Sequence, residues 1–143
     1  MKIRMGFVSN SSSSSFLVGC NSKNLEDILE QEFENIFPAT GITADLISAI
    51  KEEAIIELMN NDFDENYKWA SFEEFMKYAE NQWCTEPSEK EINFIKDQFS
   101  RWKYLHTLEI ADTGDGGGRI STALRNCFPT NFKNENIEIN IWE

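Results

Sequence analysis

Two loop-forming stretches carry the residue types that could do chemistry in this 143-residue chain. The first is Asp112-Thr113-Gly114-Asp115-Gly116-Gly117-Gly118-Arg119, which follows an apolar alternation and precedes a helical one. Glycine lets a backbone approach an anion closely, and a helix N-terminus supplies free N–H donors. The second is the serine run Ser11 to Ser15, entered through Ser9-Asn10. Hydroxyls and successive backbone N–H groups can converge on a phosphate or carboxylate, and Lys2 and Arg4 stand close by in sequence. Ser11, Ser12, Ser13, Gly116, Gly117 and Arg119 are therefore the candidate anion-binding residues. The competing reading makes both stretches solvated connections, as serine- and glycine-rich composition does in linkers.

Other constellations are thinner. The glycine loop lacks the lysine of a P-loop, and Asp112 and Asp115 alone do not supply the alternating oxygens of an EF-hand. His106 could serve as a general base with Asp112 or Glu109 and a loop serine as nucleophile, but no Gly-x-Ser-x-Gly elbow accompanies them. A lone strand histidine is more often a packed residue. It is also the only histidine, which excludes metal sites built on several imidazoles. Cys20, Cys84 and Cys127 are far apart with no C-x-x-C pair. That speaks against zinc and disulfides and for buried thiols in a reducing, cytoplasmic setting. No cofactor is expected, and no catalytic set is complete.

Two resemblances bear on these stretches. Asp112-x-Gly114-x-Gly116 after an apolar strand resembles the adenine-binding Asp-x-Gly-x-Gly box of histidine-kinase and gyrase-type ATPases. The resemblance implies that Asp112 reads the adenine amino group and that Asn93, on the preceding helix, is the magnesium asparagine. The chain between Asn93 and the box is short for the strands that family places there. The glycine loop's place between a predicted strand and a predicted helix gives the alternative function, a nucleotide- or phosphate-binding enzyme using Gly114 to Gly118. Separately, Gly6-Phe7-Val8-Ser9-Asn10 followed by Ser11 to Ser15 and Phe16 resembles an N-terminal segment shared by otherwise unlike, uncharacterised phage and bacterial proteins. It covers about residues 1–18, carries no activity, and implies a phage or mobile-element setting in which the segment is an address or recognition tag.

Charge points elsewhere. The net charge is −12. From Lys23 to Glu91 there are 18 acidic and 5 basic residues, whereas residues 92–143 hold 7 acidic and 6 basic. A potential of that sign repels nucleic-acid backbones and attracts basic partners. The leading expectation is thus a non-catalytic interaction protein binding a basic protein surface through Glu52, Glu53, Asp62 and Asp64. Acidic helix faces that merely keep the chain soluble are the plainer alternative. No apolar run approaches the roughly 18 residues of a membrane span, and the N-terminus lacks the apolar stretch of a secretory signal.

The elements that must position these residues follow from periodicity. Ile3, Met5 and Phe7 alternate with polar neighbours, as do Phe16, Val18 and Cys20 with Leu17 and Gly19, predicting two strands joined by a Ser9–Ser15 loop. Leu25, Ile28, Leu29, Phe33 and Ile36 predict a helix capped by Asn24 and stopped by Pro38. A second helix runs from a Thr43 cap through Leu46, Ile50, Ala54 and Leu58. Ser71-Phe72-Glu73-Glu74 and Ser88-Glu89-Lys90-Glu91 are capping boxes, each followed by an apolar helical stripe. His106, Leu108 and Ile110 predict a strand, Ile120 to Phe128 a short helix, and Ile137, Ile139 and Ile141 a closing strand. The whole reads as one α+β domain: a small sheet from the N- and C-terminal strands, covered by a mainly helical middle segment. With eleven phenylalanines and four tryptophans the chain can bury a core without staples.

Overall fold

The computed structural model of the protein describes residues 14–37, 49, 51–59, 68–82, 87–110 and 128–141. Its elements in chain order are β1 (Ser14–Cys20), α1 (Leu25–Ile36), α2 (Lys51–Met59), β2 (Lys68–Trp69), α3 (Phe72–Gln82), α4 (Glu89–Arg101), β3 (Tyr104–Ile110), β4 (Asn131–Lys133) and β5 (Ile137–Ile141). The α+β class is as expected. The strands form one sheet in the order β2-β3-β1-β5-β4, and every neighbouring pair is antiparallel.

β1 is central, with β3 on one side and β5 on the other. Both of its edges are thus paired, and helices cover both of its faces, which is why its two alternating sets are apolar or small throughout. Phe16, Val18 and Cys20 face α1 and α2, joining Leu29, Phe33, Ile36, Ala54, Leu58, Leu108, Ile137 and Ile139 in the larger core. Leu17 faces the other way, into a smaller core with Trp69, Phe75, Ala79, Ile95 and Leu105 under α3 and α4. The sheet is thus covered on both faces rather than one. Each fully buried aliphatic side chain of this kind stabilises the fold by about 1.5–3 kcal/mol.

Of the three cap signals that can be checked, two hold in full and one in half. Asn24 accepts from the Glu26 N–H at 2.9 Å, and α1 ends at Ile36 with Phe37 as its C-cap, immediately before Pro38. Ser88 and Glu91 form a complete capping box, with both reciprocal bonds at 3.1 Å. The Ser71 box is only half of one. Ser71 Oγ accepts from the Glu74 N–H, but the Glu74 carboxylate reaches the N–H of Ala70, one residue earlier than a box requires.

Two expectations are corrected. Ser14 and Ser15 belong to β1, paired with Ile110 and Glu109, so the serine run enters the sheet instead of ending before it. The sheet also gains two short strands that the alternation did not predict. β3 lies against β1 over seven residue pairs, and the short strands β2 and β4, which carry too few residues to show a period, form its two edges. The strand expected over Ile3 to Phe7, the first half of the second helix and the helix expected over Ile120 to Phe128 lie outside the described residues, apart from buried Phe128.

Candidate functional site

The two helical layers differ in charge. α1 and α2 together contain eight acidic residues and one basic residue; α3 and α4 contain six acidic and four basic. Among the described residues, the acid of the helices is therefore divided between both faces of the sheet but weighted to one of them. On the α1–α2 layer Glu26, Asp27, Glu30, Glu34, Glu52 and Glu53 are exposed. The amphipathic register of α1 favours this: Leu25, Ile28, Leu29, Phe33 and Ile36 take the buried stripe, and Glu26, Asp27, Glu30 and Glu34 fall outside it. The layer's one lysine, Lys51, is already committed. Its Nζ lies 3.2 Å from Glu34 Oε1 and 5.7 Å from the centre of the Phe33 ring, tying α2 to α1. The carboxyl of Glu34 is held below its usual range, first by its own backbone N–H and then by Lys51. Among the described residues, Ile56 is the large apolar side chain left exposed, at 55%, one turn after Glu52 on α2.

Of the proposed partner-binding residues, Glu52 and Glu53 stand side by side on this face, both exposed. Asp62 and Asp64 lie outside the described residues, as do the candidate anion-binding Ser11, Ser12, Ser13, Gly116, Gly117 and Arg119 and the whole box from Asp112 to Gly116. Asn93 is exposed on α4. His106 is buried on the α1–α2 side of the sheet, and its Nε2 is 2.9 Å from the Ser22 carbonyl oxygen. Burial pushes its pKa down, the Ser22 bond pushes it up, and Lys68 opposite on β2 pushes it down again; the net effect lowers it. A neutral imidazole donating to a main-chain carbonyl is a packed histidine. Cys20 is buried as expected, its thiol raised by that burial and donating to the Ser22 carbonyl.

Sequence reasoning missed two heavily hydrogen-bonded polar groups, both buried carboxylates. Glu138 on β5 points to the α4 side, opposite Gly19 of β1. Its Oε1 accepts from Arg101 Nη2 at 2.8 Å, Trp102 Nε1 at 2.9 Å and Arg101 Nε at 3.1 Å. Its Oε2 accepts from Arg101 Nη2 at 3.0 Å and from the amides of Gln98 and Asn140, both at 3.1 Å. Burial alone would raise this carboxyl, but the indole, amide and guanidinium donors together hold it at about 2. Arg101 is held on its other side by Asp97, one turn earlier. The Trp102 indole can reach Glu138 only because residue 19 is glycine. A Cβ there would lie 2.4 Å from Trp102 Cδ1. No signal within the alternation of Ile137 to Ile141 separates Glu138 from an ordinary exposed strand glutamate.

The second carboxylate, Glu32, sits at 3% exposure on α1. It accepts from Asn134 Nδ2 at 2.6 Å, Gln31 Nε2 at 3.1 Å, and Asn35 and Asn136 Nδ2 at 3.2 Å. Burial raises its pKa, the four amides lower it, and the net shift is downward. Asn134 is oriented for this by its Oδ1, which accepts the N–H groups of Asn136 and Ile137 in the β4–β5 turn. Both carboxylates are enclosed by donors and fasten the β4–β5 hairpin to helices on opposite faces of the sheet. Each of their four oxygens accepts at least two hydrogen bonds from within the fold, so both carboxylates act as structural fastenings.

Among the described residues, no three His, Cys, Asp or Glu side chains gather as metal ligands would, and no helix is long and apolar enough to cross a membrane. Fold and charge together describe an α+β fold whose α1–α2 layer is, among the described residues, the more acidic of the two. No family model, curated protein or solved structure matches the chain.

Proposed function

We propose that this chain is a non-catalytic interaction protein whose acidic α1–α2 face binds a protein partner with a basic surface. One observation carries this: the layer holds six exposed carboxylates, and its one cation is spent on Glu34. Like charges crowded on neighbouring turns destabilise a free helix, by roughly 0.2–0.5 kcal/mol per close pair, so opposite charge brought by a partner relieves a cost already present. Exposed Ile56 beside Glu52 adds an apolar contact to that rim. The resemblance of the N-terminal segment supports a phage or mobile-element setting, with a host or phage protein as partner.

The test compares pull-downs from host lysate by the native chain, by a variant with Glu52, Glu53, Asp62 and Asp64 changed to lysine, and by a control with Glu73, Glu74, Glu80 and Glu89 changed to lysine. Native chain and control should recover the same partner, the first variant should lose it, and recovery should fall as salt rises. Equal recovery by all three proteins would remove the proposal.

A further inference from the structure

We draw no further inference here: the strongest candidate, the open depression between the N-terminal end of α3 and the C-terminal end of α4 lined by Ser71, Phe72, Phe99, Arg101 and Lys103, offers a ligand little beyond a helix N-terminus, because its Arg101 guanidinium is already held by Glu138 and Asp97 and nothing buried and unpartnered among its lining residues points into it.

Discussion

Replacing Glu138 by glutamine tests whether the six hydrogen bonds on that carboxylate stabilise the fold as their geometry implies. The carboxyl is held at about 2 against a usual 4.5. At about 1.4 kcal/mol per pKa unit, ionised Glu138 contributes about 3 kcal/mol to folding at neutral pH. Breaking a buried ion pair costs about 3–5 kcal/mol by independent experience, so the two figures agree. Glutamine keeps the volume but offers one acceptor oxygen where Arg101, Trp102, Gln98 and Asn140 all donate. Part of the loss is recoverable. Gln98 Oε1 is buried without a partner, so a flip of that amide lets it accept from the amide introduced at position 138. The expected loss is about 2–3 kcal/mol at pH 7, a large share of the roughly 5–15 kcal/mol typical of a domain. Because the folded pKa is depressed, the contribution is fully present above about 4.5 and is lost as pH falls toward 2. The native chain and Glu138→Gln should therefore converge in stability on acidification. Urea unfolding followed by circular dichroism at pH 7, 5 and 4 measures both effects. A difference under about 1 kcal/mol at pH 7, or one that is larger at pH 4 than at pH 7, would refute this account of Glu138.

Gly19→Ala should destabilise by about 1–3 kcal/mol, since the new methyl must displace the Trp102 ring from its bond to Glu138. Combined with Trp102→Ala, which removes the obstructing ring, its added cost should largely vanish; additive losses in the double-mutant cycle would contradict the clash. Leu17→Ala should cost about 2–5 kcal/mol, because Leu17 is wholly buried under α3 and α4. A loss below about 1 kcal/mol would mean that this face of β1 is not covered. His106 should titrate below its usual range in an NMR pH series, with Nε2 protonated at neutral pH. Its neutral form is favoured by folding, so its contribution is present above about 6.5 and falls as pH drops below that. A normal or raised pKa would refute the packed-histidine assignment.

The helices were legible because their information is local. The Asn24 and Ser88 caps and the stripe from Leu25 to Ile36 are read from neighbours within one or two turns, and the structure has them where the pattern puts them. The alternations around Phe16, His106 and Ile137 announce strands for the same reason. Their partners could not be read, since pairing joins residues far apart in the chain: Gly19 meets Leu105 on one side and Glu138 on the other. Leu17, the apparently outward member of its alternation, is wholly buried because α3 and α4 cover that face, a contact that is likewise distant in the chain. Of the candidate site, Glu52 and Glu53 were legible as exposed acids, because a helix must turn its charged side away from an apolar stripe.

The amino-acid order alone thus determined the α+β class, the positions and caps of α1 and α4, and the excess of acid in the middle of the chain. How the acid of the described helices divides between two layers was decided only by folding, because the sheet separates α1 and α2 from α3 and α4. The same holds for Glu138 and Glu32. Each looks like a solvated glutamate in sequence, and only tertiary contact surrounds it with donors from residues up to 104 positions away. A carboxylate's neighbours in space set its solvation and its pKa, and neighbours in space are what a linear pattern does not contain.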